Sequence, residues 1–213
     1  MICVSLREPD YRSFIKALIG LEMAEIRLDG ARLSSSEIVS LFAAPLPLVA
    51  TYRSGRASLE ERREMLSLAI RSGARYVDLE IESPPEYREA LIGIARTSNC
   101  RVIVSYHNEQ MTPTRRALDD IADRCEASGA DVIKIACRVR STADCARLLS
   151  LYERPRPVIA IGMGALGTFT RIVAPFLGAP FTFAALTLER TTADGQLDAR
   201  TMAEKIRILG DGS

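Results

Sequence analysis

The sequence predicts an α/β protein folded as a single (β/α)8 barrel over residues 1–213. Eight short apolar runs recur about every 25 residues, and each is followed by a stretch with helical periodicity. The runs do not alternate cleanly between apolar and polar residues, which is typical of parallel strands covered on both faces. A length of 213 residues lies near the lower end for such barrels, about 200 to 250 residues.

The eight predicted strands are rich in Val and Ile. They lie at residues 2–6, 24–29, 47–53, 75–81, 101–106, 131–136, 157–162 and 181–186. A doubly wound open sheet uses the same local units, but no Gly-x-Gly-x-x-Gly motif follows the first run and no Walker lysine is present. No linker or low-complexity tract divides the chain, so the sequence indicates one domain.

Two of the predicted helices have clear ends. In residues 112–129, Thr112 is the expected N-cap, Pro113 fits the first turn and Gly129 ends the helix. Its apolar face carries Leu118, Ile121, Ala122 and Cys125. Residues 59–73 show the same pattern, with Gly73 at the end.

Composition excludes several classes of function. The 28 basic and 27 acidic residues leave a formal charge of +1, so we expect neither a nucleic-acid nor a membrane-surface partner. No apolar run approaches the ~18 residues of a membrane span, and we expect a cytoplasmic protein. The five cysteines form no Cys-x-x-Cys pair, which favours buried reduced thiols and neither a zinc site nor any other metal site.

Charged side chains follow several strands, at the end where barrels place their active sites. These residues are Glu25, Arg27, Asp29, Arg53, Asp78 and Glu80. The spacing of Glu25, Arg27 and Asp29 would place them on one face of an extended strand. Any one could be a solvated charge or a structural ion pair, but their convergence on one rim favours a functional site.

Lys134 lies inside the apolar run 131–136, whereas Lys16 and Lys205 lie on amphipathic helices. Lysine is rarely buried without a partner. Burial would favour a neutral amine able to attack a carbonyl and form a Schiff base. The alternative is a lysine paired with a carboxylate such as Glu25 or Asp78, and the residues alone leave both open.

His107, the only histidine, directly follows the fifth run. An imidazole with a pKa near ~6.5 suits removal of the proton that a Schiff base acidifies. An incidental loop histidine is the alternative, and the neighbouring lysine strand favours the catalytic interpretation.

Two later segments also suggest binding. Residues 161–172 are rich in glycine and end in Arg171, so they could cradle a phosphate, or give room while Arg171 holds a carboxylate. Residues 188–199 are small and polar, which suits a mobile lid or a plain connection.

Together these segments resemble type I 3-dehydroquinate dehydratases along nearly the whole chain. The matching segments are E-x-R-x-D (Glu25, Arg27, Asp29), T-x-R (Thr51, Arg53), D-L-E (Asp78, Glu80), S-x-H (Ser105, His107), IKIA (Lys134), M-G-x-x-G-x-x-T-R (Met163 to Arg171), T-F-A (Thr182, Phe183) and G-Q (Gly195, Gln196).

The resemblance implies a lyase of the shikimate pathway, which serves aromatic amino acid biosynthesis. Such an enzyme dehydrates the small molecule 3-dehydroquinate to 3-dehydroshikimate without a metal or organic cofactor. It implies an imine at Lys134, acid and base catalysis by His107, and a carboxylate held by Arg171, Thr192 and Gln196. The remaining implied site residues are Ser5, Glu25, Arg27 and Arg53 at the ring hydroxyls, with Asp78, Glu80, Met163 and Phe183 in support. A homodimer is compatible with this family.

The chain departs from the family pattern at several positions. It has Thr170, Thr192 and Asp194 where the family often has serine, serine and proline. The glutamate expected near the histidine is replaced by Ala57 after a shortened loop. We therefore expect Glu80, rather than Glu60 or Glu61, to orient His107. The extra N-terminal hairpin of many bacterial members is missing from this sequence, so we expect the bottom of the barrel to be closed differently.

Two rival functions remain at this point. A class I aldolase shares the barrel and the imine, and phosphate binding at residues 161–172 would favour it. A non-catalytic barrel is the other rival, although a scaffold has no need for a lysine inside a strand.

Overall fold

Parallel strands and α-helices alternate along the chain in the computed structural model, which describes residues 1–55 and 57–211. The strands are β1 (Ile2–Leu6), β2 (Ala24–Arg27), β3 (Leu48–Thr51), β4 (Tyr76–Glu80), β5 (Arg101–Asn108), β6 (Val132–Arg138), β7 (Val158–Met163) and β8 (Thr182–Ala185). The α-helices are α1 (Tyr11–Leu18), α2 (Ser35–Phe42), α3 (Leu59–Arg71), α4 (Pro85–Thr97), α5 (Arg115–Ala127), α6 (Thr142–Leu149), α7 (Thr168–Val173) and α8 (Ala199–Gly210). The predicted (β/α)8 barrel is confirmed.

The strands pair in the order β7-β6-β5-β4-β3-β2-β1-β8, and every ladder is parallel. In the part of the chain that the structure describes, no ladder joins β7 to β8, so the barrel is nearly closed rather than fully closed. The register places Ser5 beside Glu25 and Ser105 beside Lys134. The C-terminal ends of neighbouring strands therefore bring the predicted site residues to one end of the barrel.

Helix α5 begins later than the sequence predicted. The Thr114 side chain, not that of Thr112, caps the helix by accepting a hydrogen bond from the Ala117 backbone N–H. The buried Thr112 hydroxyl instead donates to the Arg138 carbonyl at 2.7 Å. The predicted cap was wrong because a contact with the end of β6 occupies Thr112, and Pro113 therefore lies before the helix.

The other predicted ends hold. Gly73 and Gly129 follow α3 and α5 with φ angles of +113° and +91°, a backbone region that glycine adopts without strain. The apolar faces of the helices pack against the outside of the sheet. All five cysteines are buried free thiols, as expected.

The bottom of the barrel is closed by aromatic side chains. Tyr76, Phe181 and Phe183 form two edge-to-face pairs with ring centroids 5.3 and 5.4 Å apart. The Arg101 guanidinium lies over the Tyr76 ring, 5.5 Å from its centroid. Tyr76 and Phe181 lie at the N-terminal ends of β4 and β8, whereas Phe183 lies further inside the barrel. No described helix is long and apolar enough to cross a membrane.

Candidate active site

A cavity of about 560 Å³ opens at the C-terminal ends of the strands. Twelve of the thirteen predicted site residues line it, and the thirteenth, Asp78, is buried beside Lys134. The twelve are Ser5, Glu25, Arg27, Arg53, Glu80, His107, Lys134, Met163, Arg171, Phe183, Thr192 and Gln196. The fold therefore brings together residues that lie far apart in the sequence.

Lys134 lies on the floor of the cavity and is 4 % exposed. Its Nζ lies 2.8 Å from Asp78 Oδ2 and 3.5 Å from Glu25 Oε1. It also lies 4.0 Å from the centroid of the Phe183 ring, which adds a cation–π contact. The carboxylate pairing that the sequence left open is thus present, and both candidate carboxylates take part.

Asp78 joins Lys134 to Arg53. The Arg53 guanidinium donates to both carboxylate oxygens at 2.9 and 2.7 Å, and Ser105 Oγ donates at 2.6 Å. Burial alone would raise the pKa of Asp78, but the charges of Arg53 and Lys134 outweigh burial and hold it far below its usual value. Asp78 is therefore a permanent anion that keeps both cations in place.

Glu25 is the second buried anion. Its carboxylate accepts hydrogen bonds from the Ser5 and Thr51 hydroxyls. Burial raises the pKa of Glu25, but Lys134, Arg27 and the other nearby cations lower it by more, so the net direction is downward. Two carboxylates thus balance Lys134 and Arg53 in a region with little water.

The spacing of Asp29 predicted that it would share a strand face with Glu25 and Arg27, and this prediction was wrong. Strand β2 ends at Arg27, and Leu28–Gly30 turn into a short 3₁₀ helix. The Asp29 carboxylate instead holds the Arg27 guanidinium through two hydrogen bonds of 2.8 Å. A bidentate pair fixes the direction of Arg27 at the cavity wall.

His107 lies near the end of β5, on the strand next to that of Lys134. Burial, followed by the charges of Arg53 and Lys134, lowers the pKa of His107 well below its usual value. The imidazole is therefore neutral at pH 7 and can accept a proton. Among residues 1–55 and 57–211, no side chain makes a hydrogen bond or ion pair with it.

Glu80 does not hold His107, which corrects the expectation from the sequence. Its carboxylate accepts hydrogen bonds from the Ser54 backbone N–H at 2.8 Å and from Arg62 Nη2 at 3.1 Å. Glu60 pairs with Arg63, and Glu61 accepts from the Tyr52 hydroxyl. The local cation Arg62, which the sequence pattern did not reveal, thus binds the carboxylate that was assigned to the histidine.

Arg171 is the most unusual cation in the site. It is 1 % exposed and lines the cavity, yet its Nε and Nη2 have no hydrogen-bond partner among the described residues. Burial lowers the pKa of Arg171 to about 10. A buried guanidinium with free donors fits a carboxylate, which can accept two parallel hydrogen bonds.

The glycine N–H groups of the segment after β7 already have partners within the protein. The N–H groups of Gly162, Gly164 and Gly167 donate to Thr170 Oγ1, the Asp194 carbonyl and the Gly164 carbonyl. A Cβ on Gly167 would lie 2.4 Å from the carbonyl carbon of Gly162, so the turn needs glycine for close packing. The second alternative from the sequence, room beside an Arg171 that holds a carboxylate, stays a prediction.

Part of the segment after β8, which the sequence left as a lid or a plain connection, lines the cavity. Gln196 Oε1 accepts hydrogen bonds from the Thr192 backbone N–H at 2.9 Å and from the Thr192 hydroxyl at 3.1 Å. Both side chains line the cavity together with Arg171. The three residues assigned to one carboxylate therefore lie around one cavity.

Comparison with known proteins decides the family. The model of the type I 3-dehydroquinase family matches residues 2–213. The chain belongs to the type I 3-dehydroquinases.

Individual relatives agree with this membership. The 3-dehydroquinate dehydratase of Methanothermobacter thermautotrophicus is 36% identical over 89% of this chain and 86% of its own length. The bifunctional 3-dehydroquinate dehydratase/shikimate dehydrogenase of Arabidopsis thaliana is 33% identical over 84% of this chain, which spans only 31% of that protein. A type I 3-dehydroquinate dehydratase structure from Clostridium difficile, with covalently modified comenic acid, matches the fold with a TM-score of 0.87, 21% identity, and coverage of 100% and 92% of the two chains.

Arg138 and Glu109 also line the cavity of this type I 3-dehydroquinase, although neither was predicted from the sequence. Both could have been found from strand periodicity, because Arg138 lies four residues after Lys134 and Glu109 two residues after His107. Asp194, which the sequence marked only as a departure in the lid, also lines the cavity.

Proposed function

We propose that this protein dehydrates 3-dehydroquinate to 3-dehydroshikimate through a Schiff base at Lys134. The observation that carries the proposal is a buried lysine held between Asp78 and Glu25 on the floor of a cavity that also contains a neutral histidine. Family membership supplies the substrate. The residues supply the order of the chemical steps.

Substrate binding is assigned first to Arg171. Its free Nε–H and Nη2–H donors would engage the substrate carboxylate, and Thr192 and Gln196 would complete that end of the cavity. Ser5, Arg27 and Arg53 also line the cavity and would bind the ring hydroxyls. Arg27 and Arg53 are held rigidly by Asp29 and Asp78, so less side-chain entropy is lost on binding.

Imine formation begins when Lys134 loses a proton, because an ammonium has no lone pair. The neutral imidazole of His107 is the nearest base on the neighbouring strand and would accept that proton, directly or through the substrate hydroxyl. Nζ then attacks the ketone carbon. The resulting hydroxyl group takes the proton back from His107 and leaves as water, which gives an iminium cation and returns His107 to its neutral form. Because the iminium keeps the positive charge of the ammonium, Asp78 and Glu25 stabilise it in the same position.

Elimination then proceeds from the iminium. His107 removes the proton on the carbon next to the imine carbon, and the C–H electron pair moves toward the nitrogen to form an enamine. The enamine pushes out the β-hydroxyl group, which takes the proton from His107 and leaves as water. Addition of one water to the conjugated iminium releases the enone and returns Lys134, so the net change is loss of one water.

No step in this sequence requires a metal ion or an organic cofactor. The electron sink is the iminium nitrogen, and the proton carrier is His107. A class I aldolase would share the imine. The N–H groups of Gly162, Gly164 and Gly167 are already bonded within the protein, which argues against the phosphate site that would have favoured the aldolase.

Borohydride trapping tests the proposal. Reduction in the presence of 3-dehydroquinate should add a stable adduct to the peptide containing residues 131–136, detected by mass spectrometry. Lys134→Arg should give no adduct, whereas Lys16→Arg and Lys205→Arg should be labelled like the parent protein. His107→Asn should be trapped more slowly, because water must replace the imidazole as the acceptor of the Lys134 proton. The same variant should lose turnover, followed by the enone absorbance. Adduct only at Lys16 or Lys205, or turnover without any adduct, would overturn the mechanism.

A further inference from the structure

An ion pair joins the lid to the strand that carries Lys134. The Arg138 guanidinium donates to the Asp194 carboxylate, and both side chains line the cavity. Arg138 is the last residue of β6, and its Nε also donates to the Glu109 carbonyl at 3.3 Å. Asp194 lies between Thr192 and Gln196, the two lid residues assigned to the substrate carboxylate. The ion pair is therefore positioned to control where those two residues lie.

The lid rests on the turn after β7 beside this ion pair. The Asp194 carbonyl accepts a hydrogen bond from the Gly164 N–H at 3.1 Å, and the Gly195 carbonyl accepts one from Thr168 Oγ1 at 2.9 Å. A Cβ on Gly195, which has φ +72°, would lie 2.3 Å from the Gly164 carbonyl oxygen. Backbone contact thus docks the lid on one side, and the Arg138 side chain holds it from the neighbouring strand.

The negative charge of Asp194 would repel a substrate carboxylate, and Arg138 offsets that charge. Asp194 lines the same cavity as Arg171, Thr192 and Gln196, the residues assigned to the substrate carboxylate, so its own carboxylate lies in the same region as that anion. Two anions in one region repel each other unless a cation lies between or beside them. Arg138 is the cation that directly contacts Asp194.

We propose that Arg138 is a positioning residue that holds the lid closed through Asp194 and neutralises Asp194, so that the neighbouring Arg171 accepts a carboxylate substrate. This inference rests on the proposed function for the identity of that substrate. It assigns a role to two residues at which no chemistry takes place. It also explains how a lid with an acidic residue can close over an acidic substrate.

A double-mutant cycle with kinetics tests the neutralising role. Arg138→Met should raise KM about fivefold with a smaller change in kcat, which is the range of a partly exposed ion pair. Asp194→Asn should raise KM by at most about twofold, because it removes the repelling charge together with the ion pair. The double variant should resemble Asp194→Asn, not the product of the two single effects. Arg207→Met, which removes a surface ion pair with Asp211 on α8, is the matched control and should leave KM unchanged.

The opposite pattern would overturn the proposal. Equal effects of Arg138→Met and Asp194→Asn, or a double variant as poor as the product of both, would show a contact without a neutralising role. An unchanged KM in Arg138→Met would show no role in binding. High salt should reduce the difference in KM between the parent protein and Arg138→Met, because dissolved ions screen the charge of Asp194.

Hydrogen exchange of the ligand-free protein separates this proposal from the proposed function. Amides of residues 187–198 should exchange faster in Arg138→Met than in the parent protein, while Arg207→Met should match the parent. This readout needs no substrate. Faster lid exchange in a protein that fails to dehydrate 3-dehydroquinate would refute the proposed function but would support the role of Arg138 in holding the lid. Unchanged lid exchange in Arg138→Met, in a protein that does dehydrate 3-dehydroquinate, would refute only the role of Arg138 in holding the lid.

Discussion

Arg171 should show opposite effects on stability and on substrate binding. Its guanidinium is 1 % exposed, and its Nε and Nη2 lack partners among the described residues. Burial lowers its pKa to about 10, which is roughly two pKa units or slightly more below that of a free guanidinium. At about 1.4 kcal/mol per pKa unit, the charged guanidinium costs the folded, ligand-free protein about 3 kcal/mol.

The sign of this cost follows from linkage. The pKa of Arg171 is lower in the folded protein than in the unfolded chain, so the unfolded chain binds more protons between pH 10 and the higher pKa of a free guanidinium. The cost is therefore fully present at neutral pH and is relieved as the pH rises through that window. Replacing Arg171 with methionine removes it at every pH.

We expect Arg171→Met to unfold at a higher temperature than the parent protein when no ligand is present. Allowing for lost packing, the gain is about 1 to 3 kcal/mol, or roughly 3 to 10 °C for a protein of this size. The same change should lower kcat/KM for 3-dehydroquinate roughly ten- to a hundredfold, mainly through KM, because hydrogen bonds to a charged group are lost.

Thermal unfolding with and without quinate, which has the carboxylate but no ketone, measures both effects. Quinate should raise the melting temperature of the parent protein and leave that of Arg171→Met unchanged. The surface variant Arg207→Met should behave like the parent in every assay. A less stable Arg171→Met variant with an unchanged KM would refute the reasoning, because Arg171 would then be a structural cation with partners inside the fold.

Four further outcomes follow from the same contacts. In a pH–rate profile, the midpoint of the acidic limb of kcat/KM should lie below pH 6.5, because burial lowers the pKa of His107. A midpoint at or above pH 6.5 would contradict this. Glu80→Gln should lower the free energy of unfolding by about 1 to 2 kcal/mol in chemical denaturation and should slow turnover less than tenfold. The reason is that Glu80 binds Ser54 and Arg62 rather than His107. A near-complete loss of kcat would show that Glu80 orients His107 after all. Gly195→Ala should raise KM clearly and lower the melting temperature only slightly, because its Cβ would displace the lid. Equal KM values in the variant and the parent protein would show that the lid tolerates the added methyl group. Prolonged chelation should leave the rate unchanged, since the described residues form no group of three or more metal-binding side chains, and recovery of a lost rate by one divalent ion would contradict this.

Much of the fold could be predicted because its signals are local. Predicted strands 2–6 and 157–162 agree with β1 and β7 to within one residue, since apolar runs and their turn residues mark where a buried strand begins and ends. The run at 24–29 was two residues too long. Periodicity continued there through Asp29, although the chain had already turned into a 3₁₀ helix.

Much of the site could also be predicted, because unusual residue types were placed where strands end. A lysine inside an apolar strand and a single histidine on the next strand both line the cavity. Family resemblance added Ser5, Thr192 and Gln196, which no local pattern singles out. The role of each of these residues in the reaction stays a prediction until the trapping and kinetic experiments are done.

The sequence by itself determined the barrel, the order of its strands along the chain and the end of the barrel at which the charged residues meet. Only the tertiary structure decided which charges are partners: Glu80 with Arg62, Asp194 with Arg138, and Arg171 with none among the described residues. Strand and helix patterns repeat every few residues and can be read along the chain. An ion pair depends on distances of a few ångströms between side chains on different elements, which follow only from how the whole barrel packs.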